Sequence, residues 1–412
     1  MQRIRWWSAA VLSGAVAVAG CGGVSPQDAV PPEGSLALSH EQEQEQHEAF
    51  TKLPPDDKIF PLETGVEIDW VPLNNAANAQ HYVWLPAARR ENGKLFVFMP
   101  GTGNKPADYQ YFSGEAARAG YHVIGLTYRN DRAIESVCPG DATLNPPRPP
   151  SPDVDCSGKM RLETQIGVDP PADISTDVTV NVANSIDHRL TKLLVYLDGK
   201  SPHDGWSRFL RDGKPNWSRI AVGGQSQGAG QAALIAQLRR VARVVMLSGP
   251  PDSRIPNQDP PVVDSWVHIG RTPASKHFAL YHHRDRFVRG PPTGATGIPT
   301  NLRALGLEKF GRAVAVGTEG PYCTTDDLGP PRDWSFGQTR LLTTDLFPRG
   351  VGGCEGATSG NPHRSTARDE FTPLAADGFT PRLLGAWRYL LGASQEDDGD
   401  DEDGQEEDGQ DA

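Results

Sequence analysis

Apolar runs of strand length recur along the chain, separated by Gly and Pro breaks and by stretches with helical spacing. Lys94 to Met99, Val244 to Leu247 and Phe278 to Tyr281 are largely apolar runs, as expected of strands buried on both faces. Tyr121 to Thr127 and Tyr82 to Leu85 are further candidates, and Val66, Ile68 and Trp70 alternate with polar neighbours as a half-buried strand does. Helices are expected over Ala107 to Ala119, opened by Pro106 and stopped by Gly120, and over Asn184 to Leu197, where Ile186, Leu190, Leu193, Leu194 and Leu197 share a helical period. The last helical pattern runs from Arg382 to Leu391.

One stretch joins the two periodicities without a gap. Ile220-Ala221-Val222 has strand character and Ala229 to Leu238 is rich in Ala and Leu, a helical composition. Between them lies Gly224-Gln225-Ser226-Gln227-Gly228, a G-x-S-x-G. A strand-to-helix turn this tight demands near-absent side chains beside the serine and holds its hydroxyl out over the sheet edge. Strand, motif and following helix together resemble the α/β-hydrolase superfamily, and the likeness extends over roughly Ile59 to Leu391. That resemblance implies an eight-stranded, mostly parallel central sheet flanked by helices, and a Ser, acid, His triad in that chain order.

The resemblance makes Ser226 the nucleophile. Asp252 and Asp285 each follow a strand; the superfamily more often places its acid after the later one, and Asp285 sits in a His-x-x-Asp-x-x-Val setting that resembles many esterases. Asp285 is therefore the expected acid, Asp252 the alternative, and substitution of Asp252 is expected to be tolerated. Of eleven histidines only His363 lies downstream of Asp285, in a loop ahead of the last helix, which makes it the expected base. His122 is expected to pack, and His282 and His283 to order the acid loop or line the pocket. Pro100-Gly101-Thr102-Gly103-Asn104 follows the third strand, where the superfamily places an oxyanion-hole amide; by motif position the donors are the N–H groups of Thr102 and Gln227.

Composition adds boundaries. Residues 396–411 hold eleven acidic and no basic residues; with 52 Asp plus Glu in all, 41 remain elsewhere against 40 Lys plus Arg. The net charge of −12 thus belongs to a solvated tail over residues 393–412, and the near-neutral body excludes a nucleic-acid partner. Arg3 and Arg5 precede an apolar stretch from Trp6 to Ala19, too short to span a bilayer but suited to a secretory signal over residues 1–20. The sequence Val18-Ala19-Gly20-Cys21 resembles the lipobox of bacterial lipoproteins, which implies a lipidated Cys21, attachment to a membrane, and a place in the cell envelope at the outer membrane or cell surface. Residues 21–58, rich in Glu, Gln and Pro, are expected to be a flexible tether, and residues 59–392 the α/β-hydrolase domain.

Within that domain residues 131–184 lose periodicity and gather Pro, as a lid-like insertion after the fourth strand. In an exported protein Cys138, Cys156, Cys323 and Cys354 pair as disulfides; three connectivities are open, and proximity in sequence favours Cys138 with Cys156 and Cys323 with Cys354. No ligand spacing supports a metal site, and no cofactor is expected. The expected function is an extracytoplasmic serine hydrolase acting on small-molecule or lipid-like carboxylic esters. A non-catalytic binding lipoprotein of the same fold, or a peptidase or acyltransferase on the same triad, are the alternatives.

Overall fold

The computed structural model describes residues 51–67, 76–140, 146–153, 155–252, 263–289, 297–317, 337–349 and 361–393. Its strands are β1 (Asp57–Ile59), β2 (His81–Trp84), β3 (Leu95–Met99), β4 (His122–Gly125), β5 (Leu210–Arg211), β6 (Lys214–Pro215), β7 (Ile220–Gln225), β8 (Val244–Leu247), β9 (His277–His282), β10 (Val314–Val316) and β11 (Leu341–Thr344). Among the described residues nine of them form one sheet in the order β1-β2-β4-β3-β7-β8-β9-β11-β10, while β5 and β6 make a separate hairpin. From β4 across to β10 every pairing is parallel; β2 runs antiparallel to β4, and β1 antiparallel to β2. The chain has an α/β-hydrolase fold, with nine sheet strands among the described residues where eight were expected.

Helices cover both faces. They are α1 (Gln110–Arg118), α2 (Ile134–Val137), α3 (Cys156–Ile166), α4 (Ile186–Lys200), α5 (Gln227–Leu238), α6 (Arg286–Arg289), α7 (Gly297–Ala304), α8 (Asn361–Ser365) and α9 (Leu384–Leu391). Strand β3 shows why two layers are needed. Its successive side chains point to opposite faces, so Leu95, Val97 and Met99 enter one core with α4 and α5, while Phe96 and Phe98 enter another with α1 and α9. Helix α4 buries Ile186, Leu190, Leu193, Leu194 and Leu197, each worth about 1.5–3 kcal/mol, and starts where the Ser185 hydroxyl accepts the His188 N–H.

One expected boundary is corrected. The tether does not reach residue 58. Asp57–Ile59 pairs with β2, the Leu53 carbonyl accepts the Trp84 indole N–H at 3.1 Å, and Lys52 pairs with Asp369 at 2.5 Å. Of the alternating residues Val66, Ile68 and Trp70, only Val66 lies within the described residues. The insertion, despite its lost periodicity, has a small core of its own. Ile134, Val137, Cys156, Met160, Val178 and Val180 make a small apolar cluster, stapled by a disulfide between Cys138 and Cys156. Cys21, Cys323, Cys354, residues 1–50 and the tail from residue 394 lie outside the described residues.

Four histidines among the described residues, His81, His122, His277 and His282, are almost wholly buried, and burial lowers the pKa of each. Burial, reinforced for His81 by the charge of Arg189, lowers its pKa to about 3, and burial lowers His277 and His282 to about 4. Each folded value lies below the ordinary 6.5, so below pH 6.5 the unfolded chain binds protons that the folded chain refuses. Stability should fall on acidification by about 1.4 kcal/mol per pH unit for each, from pH 6.5 towards the folded values. Burial raises the carboxyls of Asp187, Asp264 and Asp369, and these work in the opposite sense nearer their own range. Calorimetry between pH 7.5 and 5.5 should show a declining Tm, with a shallower decline in His81→Gln; a flat profile would contradict it.

Candidate active site

Parallel neighbours end at a common edge. The register Leu95↔Ile220 through Met99↔Gly224 brings the loop after β3 beside the turn after β7. That turn carries Ser226 at φ 56, ψ −116, a conformation costing a non-glycine residue about 1–3 kcal/mol. Packing over-determines it: a Cβ on Gly228 would stand 1.9 Å from the Met99 carbonyl oxygen, and one on Gly224 would stand 2.5 Å from the Gly228 carbonyl carbon. The motif glycines are thus places where backbone meets backbone.

Asp285 follows β9, and its N–H bonds the His282 carbonyl at 3.0 Å. Its side chain is fully buried; Oδ1 accepts the Phe287 N–H at 2.9 Å and Oδ2 meets His363 Nδ1 at 2.7 Å. His363, on α8, places Nε2 2.7 Å from Ser226 Oγ. An ionised carboxylate only accepts, so Nδ1 bears the ring proton and Nε2 is left to accept from the serine hydroxyl. The Phe287 ring packs edge-on against the imidazole, centroids 4.9 Å apart. His282 braces the same loop: its Nδ1 accepts the Arg284 N–H at 2.9 Å, so Nε2–H donates to the Leu346 carbonyl at 3.0 Å. His122 packs between Trp206 and Phe209 and bonds the Asp204 carbonyl, remote from this site.

Asp252 is engaged elsewhere. Arg161 of α3, wholly buried, grips it through Nε at 2.6 Å and Nη2 at 2.5 Å, and bonds the Gln227 carbonyl through Nη1 at 2.8 Å. The imidazole therefore meets Asp285 and not Asp252.

The structure brings Thr102 and Gln227 together beside Ser226. The Thr102 hydroxyl donates to Gln227 Oε1 at 2.7 Å, and Thr102 lines the cleft with Ser226. The Gly101, Gly103 and Asn104 amides are committed to the Tyr109 hydroxyl, the Asn130 carbonyl and the Gly101 carbonyl; among the described residues the Thr102 amide has no protein acceptor. The Gln227 amide heads α5, where first-turn donors have no helical partner. The loop itself is pinned by Tyr128, which donates to the Pro100 carbonyl at 2.7 Å, and by Asn130, which donates to the Gly101 carbonyl at 2.8 Å.

Two residues that the sequence did not single out tie the site's parts together. The Tyr109 hydroxyl accepts from Gly101 and donates to Gln225 Oε1 at 3.0 Å; Gln225 Nε2 donates to the His363 carbonyl at 2.9 Å. One relay of side chains thus joins the β3 loop, the serine turn and the histidine loop. The signal was a fully buried glutamine closing an otherwise apolar strand, since such a group needs partners. Gln225→Leu is expected to lower kcat by roughly tenfold to a hundredfold with a smaller change in KM, because the imidazole loses its backbone anchor. Steady-state kinetics with circular dichroism as a folding control checks this; unchanged kcat would remove Gln225 from the site's support.

No family model and no curated protein matches the chain. Among solved structures it is similar to Thermogutta terrifontis esterase 2 phosphorylated by paraoxon, at 11% identity and a TM-score of 0.30, over 60% of this chain and 75% of that one.

Proposed function

We propose that the protein is a serine hydrolase that cleaves carboxylic esters through an acyl-enzyme. The observation that carries this reading is the unbroken series Asp285, His363, Ser226, with both links at 2.7 Å. As the Ser226 oxygen attacks the ester carbonyl carbon, His363 Nε2 takes its proton, and Asp285 holds the tautomer and stabilises the imidazolium. The amides of Thr102 and Gln227 receive the developing oxyanion, each donor worth about 3 kcal/mol at the transition state. His363 then returns the proton to the leaving alcohol, and water, activated by the same imidazole, releases the acid.

The test is labelling by a serine-reactive fluorophosphonate, together with release of p-nitrophenol from short esters. Labelling that vanishes in Ser226→Ala supports the reading. A folded, disulfide-bonded protein that takes no label and turns over no ester would be a binding module instead. We also propose that Cys21 is lipidated and holds the protein at the bacterial envelope; the lipobox-like sequence supports this, and Cys21→Ser should move the protein to the soluble fraction. Retention in the membrane fraction would refute it.

A further inference from the structure

The loop after β3 and the loop that carries His363 meet a second time, away from Ser226. Helix α1 starts at Tyr109, whose side chain does not cap it; the Tyr109 hydroxyl is instead bonded to Gly101, Asn104 and Gln225. The first amides of α1 need an acceptor from elsewhere. They find Asp369, six residues after His363. Its Oδ2 accepts the Gln110 N–H at 3.2 Å and its Oδ1 the Tyr111 N–H at 3.0 Å, while the Asp369 N–H donates to the Asp108 carbonyl at 2.9 Å. A carboxylate in this place also meets the positive end of the helix dipole.

This junction closes a circuit on the base. One arm follows the main chain from Asp369 back to His363, through a turn in which the Arg364 carbonyl accepts the Arg368 N–H at 2.9 Å. The other arm passes from α1 through the Tyr109 hydroxyl to Gln225, whose amide donates to the His363 carbonyl at 2.9 Å. Burial pushes the Asp369 carboxyl above the usual carboxylate range, and Lys52 pulls it back. Lys52 Nζ lies 2.5 Å from Oδ2 and 4.7 Å from the centre of the Tyr111 ring. The segment that delivers this lysine is itself fixed to α1 and β2. The Thr51 carbonyl accepts from Arg118, the Leu53 carbonyl accepts from Trp84, and Gly114 leaves room for Leu53, since a Cβ there would stand 3.0 Å from the Leu53 Cβ.

From this junction we infer that Asp369 and Lys52 are positioning residues for the reaction: their ion pair holds the start of α1 against the histidine loop, and through it the base and the Gly101 to Asn104 loop. The residues immediately ahead of the sheet, read from the sequence as tether, are then part of the catalytic support. The inference rests on the serine-hydrolase reading above and adds to it the groups that hold its base in place.

The test measures kcat and KM for a short p-nitrophenyl ester in the full mature chain, well below the Tm of each variant. Asp369→Asn keeps the size and one acceptor but drops the charge; it should lower kcat by roughly tenfold or more, with KM changed by less than about threefold. Lys52→Met should lower kcat by roughly threefold to tenfold, and Lys52→Arg should restore most of it. Coupling is the readout that a merely structural pair would not give. Asp369→Asn combined with Gln225→Leu should cost little more in kcat than the worse single variant, because both break one circuit, whereas independent losses would multiply. Asp57→Asn breaks the pair with Lys200 on the same segment and should leave kcat within about twofold of the wild type. A folded Asp369→Asn within about twofold of the wild type in kcat, or losses that multiply in the double variant and recur in Asp57→Asn, would overturn the inference and leave the serine-hydrolase reading standing. Should Asp369→Asn fail to fold, Lys52→Met decides, and an unchanged kcat there overturns it equally. If the wild type hydrolyses no ester and Ser226 takes no fluorophosphonate, the serine-hydrolase reading fails first and this inference falls with it.

Discussion

Ser226→Ala should lower kcat on a turned-over ester by roughly 10⁴- to 10⁶-fold, because among the described residues Ser226 is the hydroxyl placed on His363 to attack. Ser226 Oγ is the atom 2.7 Å from Nε2, and a methyl group leaves the imidazole with a proton acceptor and nothing to deprotonate. His363→Ala should cost a similar factor, and the double variant should be no worse than either single one, since the two act as a unit. Asp285→Asn should lose roughly 10⁴-fold with the fold intact, through the wrong tautomer. Folding should barely register Ser226→Ala: alanine inherits the same backbone conformation and loses one hydrogen bond, about 1 kcal/mol. Steady-state kinetics with thermal melts would check all of these. Residual activity in Ser226→Ala within tenfold of the wild type would end the triad assignment.

Asp252→Ala should do the reverse, harming the fold before the chemistry. The sequence favoured tolerance at this position, on the view that Asp252 was a spare carboxylate past the end of a strand. Instead it neutralises Arg161, and both side chains are fully buried. Removing it strands a guanidinium in the interior at a cost of about 3–5 kcal/mol, which in a domain of this size lowers Tm by roughly 10 °C. The damage should reach the site, since Arg161 also holds the Gln227 carbonyl at the head of the serine helix. The paired change Arg161→Met with Asp252→Leu should recover much of the loss, because two apolar groups of similar volume leave no charge unmet. Thermal melts separate the cases: an Asp252→Ala protein as stable as the wild type would contradict the ion-pair account.

These two positions mark how much could be read from the chain. Strands β3, β8 and β9 are legible because both faces are buried, which forces unbroken apolar runs, and the serine turn is legible because backbone contact leaves room only for glycine. His363 could be named by chain order alone, once the resemblance to α/β-hydrolases had set that order. Strand β1 escaped because its three residues, Asp57-Lys58-Ile59, sit at the sheet edge, where one strand partner and one buried side chain suffice. The insertion escaped for another reason. It is ordered by polar bonds that follow no period: the Glu163 carboxylate accepts the N–H groups of Ser175 and Val180, both at 2.8 Å, and the disulfide between Cys138 and Cys156 closes the stretch that precedes them. The Arg161 to Asp252 pair spans separate elements, so neither residue advertises the other.

The backbone of Ser226 also narrows what this position can become. At φ 56 a branched β-carbon collides with its own main chain, so threonine is excluded as a replacement nucleophile. Cysteine, unbranched and close in size, fits the same torsion. Among side chains of serine's size, an exchange of the attacking atom at this position is therefore confined to sulfur.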